Sequence, residues 1–155
     1  MADSRSDIDE DDINLAKAFV QRAKADMRSA EALLNSGSYA DSAYHAQQCA
    51  EKMVKSLLIL ENQFLRTHIV SGPLEDIIDN IDDKEWKINI QDIVPLLEDL
   101  ERHWNLPRYP EIDKGEIWNP VEEYKPEDAR DAIEKAKLVL ETLTKFIEEY
   151  YHIEL

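Results

Sequence analysis

The stretch from Ser38 to Asn62 most constrains how this chain can fold, because it reads as one long helix with two unlike faces. At about 100° per residue, small and apolar residues fall on one face and polar, partly basic residues fall on the opposite one. The first face carries Ala43, Ala46, Ala50, Val54 and Leu57, and the second carries His45, Gln48, Lys52 and Lys55. Because alanines let a neighbouring helix approach closely, we expect the other helices to pack around this one.

Further segments with apolar residues at helical spacing predict the neighbours of this helix. The first helix is expected from about residue 13 to residue 34, with Asp12 as its N-cap and Gly37 just beyond its end. A short third helix is expected to have Pro73 in its first position, and the last helix is expected to begin at Pro126. The short connection at Gly37 makes the first two helices antiparallel neighbours.

The fourth helix contains Pro95, which leaves two alternatives for its start. Either it begins near Asp92, so that the proline falls in the first turn, or it begins near Lys87 and kinks. Residues 106–125 lack a clean period and contain three prolines and a glycine, which predicts a long loop of the kind that often carries function. Together the segments predict an all-α, up-and-down helical bundle of four long helices and one short helix, without strands.

Length and charge bound the organisation of the chain and its partners. A chain of 155 residues is expected to form one domain, with residues 1–11 as a disordered acidic tail and residues 12–155 as the bundle. The net charge of −16 argues against wholesale binding to a nucleic-acid backbone, which needs a basic footprint. The N-terminus lacks the apolar segment of a signal peptide, and the longest apolar run is too short for a membrane span, so we expect a cytoplasmic protein. The lone cysteine, Cys49, is expected to be a packing residue.

Three motifs, in order, resemble those of the HEPN (higher eukaryotes and prokaryotes nucleotide-binding) domain family. The second helix reads Tyr44-His45-Ala46-Gln47-Gln48-Cys49-Ala50-Glu51-Lys52-Met53-Val54-Lys55-Ser56-Leu57-Leu58, which is similar to the family's A-x-Q-x-A-E-K-x-x-K-x-L-L pattern. Arg66-Thr67-His68 then stands where the family often has T-H before its third helix, and Arg108-Tyr109-Pro110-Glu111 resembles the family's R-Y-P-D loop. The resemblance covers roughly residues 13–150 and implies a nucleotide-binding helical fold.

The ribonucleases of this family carry an arginine, four to six intervening residues and then a histidine, and this chain lacks that pair. None of its four histidines, at positions 45, 68, 103 and 152, has an arginine at that spacing. In such a pair the histidine would supply acid–base chemistry and the arginine a bidentate phosphate contact. We therefore predict no catalytic residue, and no His, Cys, Asp or Glu spacing predicts a metal site or a cofactor.

The residues most suited to bind an anionic ligand are a loop pair and a helix stripe. Arg108 could contact a phosphate while Tyr109 stacks on a base, or Tyr109 could instead pack the loop onto the bundle with Arg108 paired to an acid. The stripe of His45, Lys52 and Lys55 could bind the same ligand, or it could be a solvated helix face. Arg66 and His68 follow that helix and could join the site, with capping or packing as the alternative for His68.

These observations favour a non-catalytic HEPN protein that binds a nucleotide or acts as accessory subunit of a separate minimal nucleotidyltransferase, as the resemblance implies. Two alternatives remain: a ribonuclease toxin of a toxin–antitoxin pair, and a purely structural dimerisation module. We also expect a homodimer, because the family resemblance implies pairing through helix faces and because Trp104 and Trp118 exceed what the helical stripes need.

Overall fold

The computed structural model describes residues 7–64 and 66–155, and these residues form a helical bundle with one small hairpin. The helices are α1 (Glu10–Asn35), α2 (Tyr39–Leu60), α3 (Ser71–Ile78), α4 (Lys84–Glu101), α5 (Pro120–Glu123) and α6 (Pro126–Tyr150), and the strands are β1 (Glu111–Asp113) and β2 (Glu116–Trp118). A 3₁₀ turn, Arg102–Trp104, follows α4. The predicted all-α bundle with four long helices is confirmed, and no helix in the described part of the chain is long and apolar enough to cross a membrane.

Helix α2 lies at the centre of the bundle, as its alanine face predicts. It packs against α1, α3, α4 and α6, and even polar residues on it, such as Gln47 and Glu51, are almost fully buried. The turn from α1 into α2 is tight because Gly37 adopts φ +84°, a left-handed conformation that glycine tolerates well. The N–H groups of Gly37 and Ser38 donate to the carbonyls of Leu34 and Leu33, which satisfies the end of α1 in a Schellman motif.

Helix α1 begins at Glu10, three residues before the predicted start. The side chain of Asp9, rather than that of Asp12, caps the helix by accepting a hydrogen bond from the N–H of Asp11 at 2.8 Å. The three acids that follow Asp9 suit the positive end of the helix, which explains the earlier start. Residues 1–6 of the predicted tail lie outside the described residues.

Pro73 lies further inside α3 than the sequence indicated, and Pro95 lies inside α4, as one of the two alternatives predicted. Helix α3 begins at Ser71, so that Pro73 is its third residue rather than its first, a position where the N–H needs no partner in the helix. Helix α4 begins at Lys84 because the carboxylate of Asp83 accepts the N–H of Trp86 at 3.0 Å, and Pro95 lies in the interior of the helix. The helix thus begins well before the proline, three residues before the predicted start near Lys87, and the alternative of a start near Asp92 is wrong.

Residues 106–125 are ordered, and the prediction that the chain has no strands is wrong here. Strands β1 and β2 pair antiparallel around Lys114 and Gly115, which have φ 49° and 83°, as a two-residue hairpin turn requires. The indole N–H of Trp118 donates to the carbonyl of Leu106 at 2.8 Å and ties the hairpin to the end of the bundle. Strands of three residues are too short to show an alternating pattern, so no signal in the sequence predicts them.

Candidate functional site

A buried carboxylate on α1, Asp26, holds two side chains of the polar stripe on α2. Asp26 is 1% exposed and accepts a hydrogen bond from Lys52 Nζ at 2.5 Å. The Nδ1 atom of His45 lies 3.1 Å from the same carboxylate, and Arg22 approaches it to 3.5 Å from the preceding turn of α1. A buried carboxylate needs such partners because desolvation of an unpaired charge is costly.

A second buried carboxylate, Glu51, contacts Lys55 of the stripe and His68, which follows α2. Glu51 is 3% exposed, and Lys55 Nζ and His68 Nδ1 lie 3.3 Å and 3.1 Å from its oxygens. The amide of Gln47 also donates to Glu51, at 3.3 Å. Through Gln48, which contacts both Gln47 (2.7 Å) and Lys52 (3.2 Å), the two carboxylate clusters form one hydrogen-bond network along α2.

The polar stripe is therefore neither a set of available cations nor a solvated face. His45, Lys52, Lys55 and His68 all contact buried acids, and these acids neutralise the lysine charges that would attract a ligand. Each histidine turns Nδ1 inward, and His45 and His68 keep 28% and 51% of their side-chain surface exposed. Arg66 is exposed, and no ion pair joins it to the described residues.

Arg108 differs from every cation of the stripe, because aromatic rings and not acids surround it. Its guanidinium carbon lies 4.7 Å from the ring centre of Trp104 and 5.4 Å from the ring centres of both Tyr44 and Tyr109. Its Nε atom is buried without a hydrogen-bond partner, and no carboxylate among the described residues pairs with it. The alternative in which Arg108 pairs with an acid is therefore not seen among the described residues.

The aromatic rings around Arg108 connect it to both histidines of the network. His68 stacks on Trp104 with ring centres 4.5 Å apart, and Tyr44 contacts His45 edge-on at 5.5 Å. Tyr109 remains 56% exposed, so that its ring is accessible to a ligand. Sequence reasoning missed Tyr44 and Trp104 as members of this site, since their approach to Arg108 depends on how the end of α4 meets α2.

A groove of about 300 Å³ lies on one side of Arg108. It is bounded by the start of α2 and by the loop, through Gly37, Ser38, Tyr39, Ala40, Asp41, Pro107, Arg108, Pro110, Asn119, Pro120 and Val121. A volume of this size is at the lower end of the range for small-molecule sites. Among residues 7–64 and 66–155, no group of three or more His, Cys, Asp and Glu side chains could hold a metal ion.

His103 forms a separate polar pair beneath the loop. It is 3% exposed, its Nδ1 lies 2.7 Å from the hydroxyl of Tyr124, and its Nε2 accepts from Nε of the adjacent Arg102 at 3.4 Å. Adjacent residues in a regular α-helix face different ways, but the 3₁₀ turn brings Arg102 and His103 into contact. Burial, reinforced by the Arg102 charge, lowers the pKa of His103 to about 4. Burial likewise raises the pKa of Cys49 to about 12, so its thiol stays protonated and unreactive.

Comparisons with known proteins agree with this architecture. The sequence matches the HEPN domain family over residues 16–147. It is 44% identical over 140 residues to a Methanocaldococcus jannaschii protein named "Putative toxin MJ1304", and the match covers 90% of this chain and 92% of that relative.

Two solved structures share the fold. TT1696 from Thermus thermophilus matches with a TM-score of 0.70 and 25% identity, over 84% of this chain and 96% of that one. ST0689, described as an archaeal HEPN homologue, matches with a TM-score of 0.65 and 26% identity, over 85% of this chain and 97% of that one. Sequence and structure together show that the chain belongs to the HEPN domain family.

Proposed function

We propose that this HEPN protein binds a nucleotide, with a phosphate on Arg108 and the base against the exposed ring of Tyr109. The observation that carries the proposal is the environment of Arg108. Its guanidinium has no carboxylate partner among the described residues and has a buried Nε without a hydrogen bond, beside a groove of about 300 Å³. A guanidinium in that state can still donate to phosphate oxygens in a bidentate fork.

The stripe residues take a secondary role in this proposal. His45, Lys52, Lys55 and His68 already compensate Asp26 and Glu51, so a phosphate would compete with buried carboxylates for them. The ring contacts of His45 with Tyr44 and of His68 with Trp104 place both histidines at the rim of the site. There, the outward ring nitrogens can form hydrogen bonds with the ligand. Arg66, the remaining member of the predicted set, contributes at most an exposed charge.

The expected affinity is modest. Stacking on Tyr109 is worth about 1–3 kcal/mol per base, and a charge-assisted hydrogen bond from Arg108 is worth about 1.5–3 kcal/mol. Ordering of the ligand and its exposed partners opposes both contributions. Since about 4 kcal/mol corresponds to a millimolar Kd, we expect binding near the millimolar range, which suits abundant nucleotides better than scarce ones.

Calorimetric titration of ATP and GTP tests the proposal. Wild type is compared with Arg108→Gln, which removes the charge, and with Arg28→Gln, which removes the same charge from an exposed position on α1. We expect Arg108→Gln to weaken binding at least tenfold and Arg28→Gln to leave it unchanged. No heat with wild type at millimolar nucleotide, or equal affinity in all three proteins, would refute the proposal.

We also propose a homodimer, in which two copies pair through the faces of α4 and α6 that line a shared groove. This groove of about 380 Å³ is lined by Trp86, Ile93, Leu96 and the 48% exposed Leu138. The two tryptophans that motivated the dimer at the sequence level have partners within the chain instead, since Trp104 stacks on His68 and Trp118 contacts Tyr124. A minimal nucleotidyltransferase remains the proposed second partner, on the family resemblance alone.

A toxin is the second candidate function, and the name of the 44% identical relative favours it. Ribonuclease action would need an acid and a base near the phosphate, and His45 and His68 are the histidines whose rings reach the environment of Arg108. Because the family's arginine–histidine pair is absent, we predict no turnover of RNA. Chelator-insensitive cleavage of single-stranded RNA that is lost in His68→Ala or in His103→Ala would contradict this prediction.

A further inference from the structure

Helix α2 begins at the groove that Arg108 lines, and its first turn offers hydrogen-bond donors to that groove. The first three residues of the helix all line the groove, namely Tyr39, Ala40 and Asp41. The first hydrogen bond within the helix runs from the N–H of Ser42 to the carbonyl of Ser38, at 2.9 Å. The three N–H groups before Ser42 therefore have no acceptor within the helix.

The side chain of Ser38, the residue before the helix, leaves these three donors open. A serine at this position usually accepts a hydrogen bond from the second or third N–H of the helix, but Ser38 makes no such bond. The N–H groups of Ser38 and Gly37 are used differently, because they donate to carbonyls of α1. No described residue therefore caps the start of α2, and the partial positive charge of the helix terminus lies at the groove.

Arg108 meets this helix terminus from the loop side of the same groove. Its Nε atom is buried without a hydrogen-bond partner, and no carboxylate among the described residues pairs with its guanidinium. Asp41 is the one acid among the described residues that line the groove, and its charge offsets part of the attraction that Arg108 exerts on an anion. The uncapped N–H groups of α2 therefore tip the balance in favour of an anion.

We propose that the groove takes the terminal phosphate of a mononucleotide, held between Arg108 and the first-turn N–H groups of α2, an inference that rests on the proposed function. A phosphomonoester carries a charge of about −1.5 to −2 at pH 7 and three acceptor oxygens, so it can accept from the guanidinium and from the helix together. A phosphodiester has a single charge and fewer free oxygens. The groove of about 300 Å³ has the size of a small-molecule site, which excludes a polynucleotide strand.

NMR titration of the isotope-labelled full-length protein tests the inference, because backbone amide shifts report millimolar binding residue by residue. AMP, which has a terminal phosphate, is compared with cyclic AMP, whose phosphate is a diester. We expect AMP to shift the amide signals of Tyr39, Ala40 and Asp41, and cyclic AMP to bind at least tenfold more weakly. The first-turn amides of α4 serve as the internal control and should stay in place, since Asp83 already caps that helix.

Two variants of the helix start should change AMP affinity in opposite directions. Ser38→Asp places a carboxylate where it repels phosphate and competes for the same N–H groups, and we expect it to weaken binding at least tenfold. Because aspartate is a favoured residue at a helix start, circular dichroism should show unchanged folding. Asp41→Asn removes the opposing acid and should tighten binding. Gln21→Glu, which adds the same charge as Ser38→Asp at an exposed position on α1, is the matched control and should bind as wild type does.

The outcomes separate this inference from the proposed function. If Arg108→Gln weakens AMP binding but Ser38→Asp does not, or if the α2 amides do not shift, the terminus of α2 holds no phosphate and only the proposed function survives. Equal affinity for AMP and cyclic AMP would overturn the assignment of a terminal phosphate. Unchanged or weaker binding in Asp41→Asn would overturn the inference even if Ser38→Asp failed to fold. No AMP binding to wild type would refute both.

Discussion

Replacement of His103 by glutamine should remove a specific part of the pH dependence of folding. His103 is buried against Tyr124 and Arg102, and burial is the first cause that lowers its pKa, from 6.5 to about 4. In the neutral ring, Nε2 accepts from Arg102 and Nδ1 donates to the Tyr124 hydroxyl. Protonation would place a second charge beside the guanidinium and remove that acceptor.

The direction and size of the effect follow from proton linkage. Between pH 6.5 and about 4 the histidine binds a proton in the unfolded chain but not in the folded one, so the free energy of unfolding rises with pH in this window. At about 1.4 kcal/mol per pKa unit, the full window corresponds to about 3 kcal/mol. This stability is present above pH 6.5, is lost as the pH falls toward 4, and is absent below it.

The effect is measured by urea unfolding, followed by circular dichroism at half-unit pH steps from 7.5 to 3.5. This range brackets the two pKa values. Subtraction of the His103→Gln curve from the wild-type curve cancels the titration of the many surface carboxylates. The advantage of wild type over the variant is expected to shrink by about 3 kcal/mol across the window. The exposed His152→Gln serves as the matched control and should run parallel to wild type. A difference curve for His103→Gln that stays flat with pH would show that His103 is not buried as a neutral ring.

Three further outcomes are expected. Loss of a buried ion-pair partner costs about 3–5 kcal/mol, and Lys52→Met should destabilise the fold by an amount near the lower end of this range because Asp26 keeps its other partners. Lys137→Met should cost only about 0–1 kcal/mol, because its bridge to Glu31 is exposed on both sides. Equal urea midpoints for the two variants would contradict the buried network. Light scattering at micromolar concentration should give a dimer that Leu138→Glu dissociates, and a wild-type monomer would argue against the α4–α6 interface. Single-stranded RNA incubated with the protein should stay intact on denaturing gels, and metal addition should not change this.

The sequence predicts those parts of the fold that depend on a long repeated pattern. The alanine face of α2 extends over several turns, and it placed this helix correctly at the centre of the bundle. Gly37 and Pro126 were located correctly because each satisfies a local requirement at a helix terminus. The predicted start of α1 is three residues too late because Asp9 and Asp12 are both suitable caps, and the acids that follow Asp9 favour the earlier one.

The candidate site was less predictable because its determinants come from different elements. A helical wheel shows that Lys52 and Lys55 share a face with His45, but it does not show that Asp26 from α1 contacts both Lys52 and His45. The sequence shows Glu51 only as part of the family motif, whereas the structure shows it as a buried partner of Lys55. A polar stripe at helical spacing therefore cannot distinguish a ligand site from an internal ion-pair network.

The aromatic surroundings of Arg108 explain how this cation stays available beside the groove in a chain with 34 acidic and 18 basic side chains. A guanidinium beside a carboxylate would form an ion pair, as Lys52 does with Asp26. Tyr44, Trp104 and Tyr109 instead hold the cation at the negative faces of their rings. Such a contact is worth roughly 0.5–2 kcal/mol, which a ligand that displaced it would have to offset. The guanidinium is thereby positioned while its buried Nε donates to no acceptor among the described residues. For an acidic protein this is a consistent way to keep an anion site open, and it explains why the candidate site lies at Arg108 rather than along the more basic stripe of α2.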